Sequence, residues 1–244
     1  FDKNILFSSK SNFNVNLTKK FKVISYKIES DLNIDELEIN LKKIDLADYI
    51  KNYKKKLLLS KNLINIKVDD HKLYAKINSK YSFDKDQKPR NISLNYSNIN
   101  SLEKYVLNID LKESHIFFDQ IDFEKKKDEE IFMNLTFTKT KNIYQLNNFE
   151  LFNDKNNFKL NDILFAENLK IKDFRSIEAK YYNLNGFLND ISINKKNNKI
   201  NLISNKFDIS SIIEKNLKSK SKKNFLDIFE NLNSTTKINI KSAK

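Results

Sequence analysis

Glycine and proline each occur once in this chain of 244 residues, at Gly186 and Pro89, and cysteine and tryptophan do not occur at all. A phosphate-cradling loop or a dinucleotide fingerprint needs two or three glycines at fixed spacing, so both are excluded. Without cysteine there is no disulfide framework, no thiol nucleophile and no cysteine zinc site. An extracytoplasmic location stays open, provided that stability comes from burial rather than from bridges. Tight turns must be built from Asn, Asp, Lys and Ser, with Asn the natural residue for left-handed positions.

Arginine is almost as scarce. Arg90 and Arg175 are the only two, so 43 of the 45 basic side chains are lysine, and the formal net charge is +13. Nucleic-acid readers lean on arginine for bidentate and stacking contacts. Here lysine accompanies an excess of Asn and Ile, the residues of A- and T-rich codons, and the charge reads as a solvated outer surface. Long hydrophobic runs are missing too. Runs such as Leu57-Leu58-Leu59 and Ile116-Phe117-Phe118 are three residues, far short of the ~20 that a helical span requires. The chain opens at Phe1 with no signal-peptide pattern. It is read as a piece of a longer protein, with any anchor outside it.

What is present is alternation. Phe13, Val15 and Leu17 alternate with Asn and Thr, and Ile64, Ile66 and Val68 alternate with Asn65 and Lys67. Leu73, Ala75 and Ile77 follow after the polar stretch Asp69-Asp70-His71-Lys72, which predicts a hairpin. The same pattern recurs at Ile92/Leu94/Tyr96, Leu107/Ile109/Leu111, Leu135/Phe137, Phe158/Leu160, Leu169/Ile171, Ile191/Ile193, Ile200/Leu202 and Ile238/Ile240. Such spacing predicts an all-β, mainly antiparallel meander with one apolar face and one of Lys, Asn and Ser. A meander of more than ~10 twisted strands must curl, split or close.

Helical spacing appears in three places. Leu46, Tyr49, Ile50 and Tyr53 follow Asp45 as N-cap; Ile209, Ile212, Ile213 and Leu217 follow Asp208; Phe225, Ile228, Phe229 and Leu232 follow Asn224. Each is read as a short helix capping the sheet, with Lys218 to Lys223 as a solvated linker. Ile44-Asp45-Leu46 with Tyr49-Ile50 matches Phe207-Asp208-Ile209 with Ile212-Ile213, and a new strand follows each. The whole of 1–244 therefore reads as a single repetitive β region, with sub-repeats at 1–60 and 61–217 and a further block starting at 218–244.

The titratable groups offer no catalytic or metal constellation. His71 and His115 are far apart in sequence and read as surface histidines, and no zinc or nucleophile-elbow motif is present. Asp69-Asp70, Asp84/Asp86 and Asp128-Glu129-Glu130 lie in polar loops beside lysines, where carboxylates stay solvated. Asp84-Lys85-Asp86 opens like a calcium loop but lacks its Gly and terminal Glu. The expectation is a non-enzyme without cofactor or metal.

That leaves the apolar face. It either closes into a dry core or lines a trough. A trough of Ile, Leu, Val and Phe suits acyl chains, because burying each CH₂ is favourable by roughly 0.8 kcal/mol without any specific polar partner. The inner-face candidates for lipid contact are Phe13, Val15, Leu17, Ile64, Ile66, Val68, Ile191, Ile193, Leu202, Ile238 and Ile240.

The stretch from Phe187 to Lys244 resembles the AsmA-like family, the group containing AsmA, TamB and YhdP. The residues that carry the resemblance are Ile191-Ser192-Ile193, Ile200-Asn201-Leu202-Ile203-Ser204, then Phe207-Asp208-Ile209-Ser210-Ser211-Ile212-Ile213, a polar linker, a short helix and Ile238-Asn239-Ile240. Ile44 to Ile50 is a looser copy. The resemblance implies an elongated, twisted, curled sheet with a hydrophobic groove, anchored in the inner membrane of a Gram-negative bacterium and extending through the periplasm. It implies phospholipid acyl chains as ligand, carried between inner and outer membrane without hydrolysis in the same chain, with an outer-membrane or envelope protein as a further partner and no nucleic acid. Asp45 and Asp208 would be helix-start residues. The alternatives are a structural or assembly scaffold of the envelope with a closed core, and a basic single-strand nucleic-acid binder.

Overall fold

The computed structural model describes residues 5–41, 46–166, 170–210 and 234–243. It is an all-β chain, 68% strand, built around one large, mostly antiparallel sheet that is not closed. The strands are β1 (Phe7–Leu17), β2 (Val23–Asn40), β3 (Lys56–Asp69), β4 (Lys72–Ser82), β5 (Arg90–Ile99), β6 (Leu102–Asp110), β7 (Ile116–Phe118), β8 (Phe123–Lys125), β9 (Phe132–Thr140), β10 (Ile143–Phe152), β11 (Asn157–Phe165), β12 (Ile171–Asp173), β13 (Ser176–Tyr182), β14 (Leu188–Lys196), β15 (Lys199–Lys206) and β16 (Thr235–Ile240). Each strand of the large sheet pairs antiparallel with the one before it in the chain, with three exceptions. β7 and β8 form a separate hairpin, so β9 pairs with β6. The short β12 pairs only with β11, leaving β13 beside β11, and β16 lies parallel to β15.

The shortage of glycine shows in the turns. Among the described residues, ten non-glycine residues take positive φ, and six of them are Asp or Asn: Asp70, Asn100, Asp122, Asp128, Asp162 and Asn197. These two residues tolerate the left-handed region best, because their short polar side chains bond locally. Asp70 occupies the expected turn between Val68 and Leu73, where the Tyr26 hydroxyl donates to its carbonyl at 2.6 Å. Gly186 does the same work at φ +71° in the turn before β14.

Register shifts shape several strands, among them β3 and β10. β3 passes through residues 60 and 61 unbroken, but its register to β4 shifts between Ser60 and Leu63, where Lys61 has φ +52°. The buried Asn62 at this bulge is satisfied, donating to the Ile34 carbonyl at 2.9 Å and accepting from the Ser79 hydroxyl at 2.7 Å. A second shift lies between Leu146 and Asn148 in β10.

The helical readings fare differently. Leu46, Tyr49, Ile50 and Tyr53 form no helix: one turn closes from the Ile50 amide to the Leu46 carbonyl at 2.8 Å. The Lys51 amide then donates to the His115 carbonyl, and the Phe117 amide donates to the Tyr49 carbonyl, both at 2.9 Å. Pairing with the β7 segment replaces the intrahelical bonds that would have extended the turn. Asp45 and the expected helices over Ile212–Leu217 and Phe225–Leu232 lie outside the described residues. Asp208 is described and buried. It accepts from the Ser210 amide at 3.2 Å, as a helix-start residue would, and from the Asn183 amide side chain at 2.9 Å.

Candidate functional site: the apolar face of the sheet

Directly opposed residues in neighbouring strands share a face, so the register traces what that face is made of. From β2 to β16 one row reads Leu32, Ile64, Ile77, Leu94, Leu107, Leu135, Phe149, Leu160, Ile177, Ile193, Leu202, Ile238. Every one of its members is apolar. One residue along, on the opposite face, the row reads Asp31, Asn65, Lys76, Asn95, Val106, Thr136, Asn148, Asn161, Ser176, Asn194, Asn201, Lys237. Only Val106 breaks its polarity. At ~4.8 Å per strand, the apolar row crosses about 50 Å.

The residues expected to contact lipid fall on this face. Ile64, Ile193, Leu202 and Ile238 are in the row itself. Ile66 and Val68 lie on β3 beside Ile64, while Ile191 and Ile240 flank the row on β14 and β16. Phe13 and Val15 join through Ile28 and Tyr26 of β2; Leu17 follows a register shift and stands against Val23. Their burial is graded. The β3, β14 and β15 residues are half-buried, whereas Phe13 is 70% exposed and Ile238 63%. The two lateral ends of the face are therefore its most open parts.

One end of the strands is covered. The segment between β6 and β9 leaves the sheet at Leu111, forms the β7–β8 hairpin and a 3-10 turn (Asp119–Ile121), and folds its apolar side onto the sheet. Phe123 and Phe158 meet edge to face at 4.8 Å, Phe158 stacks on Tyr181 at 5.2 Å, and Phe118 reaches Phe158 at 5.8 Å. Phe123, Ile116 and Ile131 are completely buried or nearly so. A second cluster, around Leu146, Ile163, Phe174 and Ile200, fills the region over β10 to β15.

Polar groups hold the hairpin down. Lys125 is buried, and its ammonium donates to the carbonyls of Leu111, Lys112 and Ser114 at 2.8, 2.7 and 2.7 Å. Burial pushes its pKa down to about 8, against the pull of Glu129, Asp110, Glu113 and Asp128. The Glu113 carboxylate accepts from Arg90 at 2.6 Å, which holds it below the usual carboxylate range. Glu124 is lowered in the same way by its hydrogen bond to His115 at 2.6 Å and by Lys51 at 3.1 Å. His115 is thus engaged in an ion-pair cluster rather than standing free on the surface, while His71 is exposed in its turn.

Among the described residues, no group of three or more His, Cys, Asp or Glu side chains is arranged to hold a metal, and no helix is long and apolar enough to cross a membrane. The polar clusters anchor loops through backbone carbonyls and ion pairs. What the apolar face offers chemically is surface for hydrocarbon.

Compared with known proteins, the chain matches no family model, no curated protein and no solved structure.

Proposed function

We propose that the chain is a non-enzymatic lipid-binding segment whose sheet curls into an open groove, the apolar row lining the groove and shielding acyl chains from water. The observation that carries this reading is the row from Leu32 to Ile238, apolar at every position, backed by a polar row one residue away. A closed core would be buried along its length, but this face grades from buried under the hairpin to exposed at both lateral ends. Hydrocarbon binding draws on area rather than on specific polar contacts, which fits a face without convergent polar groups.

The place of action that suits such a segment is the periplasm of a Gram-negative envelope, on a protein anchored in the inner membrane and moving phospholipid toward the outer membrane. The AsmA-like features around Phe207 to Ile213 support this setting. An envelope protein partner belongs to the same proposal, and nucleic acid does not. The test is lipid extraction from the purified protein followed by mass spectrometry, with titration of the delipidated protein by a fluorescent fatty acid. Co-purified phospholipid and saturable uptake are expected. Their joint absence in folded protein would favour the scaffold reading instead.

A further inference from the structure

The hairpin joining β1 to β2 projects beyond its neighbours. The β2–β3 ladder ends where Lys27 meets Asp69, and the Asp70 carboxylate accepts from the Tyr26 amide at 3.0 Å. Residues 17–25 continue past that point, on the order of 10 Å at the rise of an extended chain. The turn is internally well made. The Thr18 amide donates to the Lys22 carbonyl at 2.8 Å, the Phe21 amide donates to the Thr18 carbonyl at 2.9 Å, and the Thr18 hydroxyl accepts from the amides of Lys20 and Lys22.

Its outward equipment has no role within the described fold. Phe21 is 84% exposed and takes φ +58°, a conformation that costs a non-glycine, aromatic residue free energy. Leu17 stands directly opposite Val23, and Ile24 is the residue left over by the register shift, with its side chain 64% exposed. Four large apolar side chains thus crowd one protruding tip. Lys19, Lys20 and Lys22 stand among them, and no acidic residue occurs between Asp2 and Glu29.

We infer that this hairpin tip is a membrane-docking element that inserts Phe21, Ile24, Leu17 and Val23 into the interface of an anionic bilayer while its lysines meet the headgroups. An apolar tip ringed by lysine is the arrangement that gains from both hydrocarbon insertion and the negative surface potential. Aliphatic side chains make up most of the tip, and neither arginine of the chain is in it, which favours a lipid surface over a stacking platform for nucleic acid. The inference extends the lipid reading by giving the sheet a point of contact with a membrane, and apart from Leu17, which is also a groove candidate, it stands on separate residues from the groove.

The absence of tryptophan makes the test direct. Phe21→Trp places the chain's single tryptophan at the tip, excited selectively over the tyrosines. Its emission should shift to the blue and be quenched by brominated acyl chains on vesicles of phosphatidylcholine with phosphatidylglycerol, with weaker binding to phosphatidylcholine alone and at high salt. Phe21→Ser with Ile24→Ser should weaken vesicle co-sedimentation about tenfold or more while leaving fatty-acid uptake and the thermal transition unchanged. Lys19, Lys20 and Lys22 changed together to Gln should remove the preference for anionic vesicles. A Phe21→Trp protein that is folded but shows no shift on anionic vesicles overturns the inference. So does a shift produced by an oligonucleotide and not by vesicles. Loss of fatty-acid uptake with vesicle binding intact would instead count against the groove alone.

Discussion

Leu107 of β6 lies directly opposite Leu135 of β9, although the whole β7–β8 insertion separates them in the chain. The insertion is looped out and folded back, and the apolar row continues across it without a missing member. The sheet is thereby kept continuous while one end of its face gains a cover. Leu107→Ala should cost about 1–2 kcal/mol, below the range of a full core deletion because the side chain is only half-buried. Urea denaturation measures it.

Phe123 is the centre of that cover, 1% exposed and in ring contact with Phe118, Phe158 and Tyr181. Phe123→Ala should destabilise by about 3–4 kcal/mol, the usual cost of an aromatic deletion in a packed cluster. Ile193→Gln, on the half-buried row, should cost far less stability and reduce fatty-acid affinity several-fold. Parallel denaturation and ligand titration of the two variants separate cover from groove.

Lys125 satisfies three carbonyls at once. Lys125→Met fills the space but leaves those acceptors without a donor, and should cost about 2–3 kcal/mol. Hydrogen exchange should then accelerate in residues 111–131 before the rest of the sheet.

Acid should loosen the same region. Glu113 and Glu124 both have folded pKa values below the usual carboxylate range, held there by Arg90 and by His115 with Lys51. A depressed folded pKa contributes stability that is present above the ordinary carboxylate value of ~4.3 and is lost as the pH falls through the lower folded value. Thermal denaturation should therefore show a falling midpoint below about pH 4. Glu113→Gln should flatten that slope.

Lys141 occupies a left-handed position, φ +48°, in the β9–β10 turn and is exposed there. Lys141→Gly should raise stability by about 0.5–1 kcal/mol, because glycine takes that conformation without the Cβ penalty. A scanning calorimetry midpoint above that of the parent protein is the expected result.

The sheet was largely legible from period-2 alternation, because each strand buries one face and wets the other. Where it was not, a bulge had broken the period. β10 reads Tyr144, Leu146, then Phe149 and Leu151, because the shift at Asn147 changes the phase. β2 changes phase between Ile34 and Leu37, opposite the irregular part of β3. β13 alternates cleanly at Ile177, Ala179 and Tyr181, yet its seven residues did not stand out from their surroundings. The turn at 46–53 has helical spacing, but a long-range pairing with residues 115–117 took its hydrogen bonds, and no local pattern carries that information. Lys125 illustrates the same limit. In a chain of 43 lysines, nothing local marks Lys125 as one that is buried under its own loop.

The most direct measurement is photocrosslinking in the presence of phospholipid, with a photoreactive residue placed at Ile193 in one sample and at its neighbour Asn194 in another. The two positions lie on the same strand and point to opposite faces. Lipid adducts at Ile193, and few or none at Asn194, are the expected outcome. Equal labelling at both positions, or none at Ile193 in folded protein, would contradict a lipid-binding apolar face.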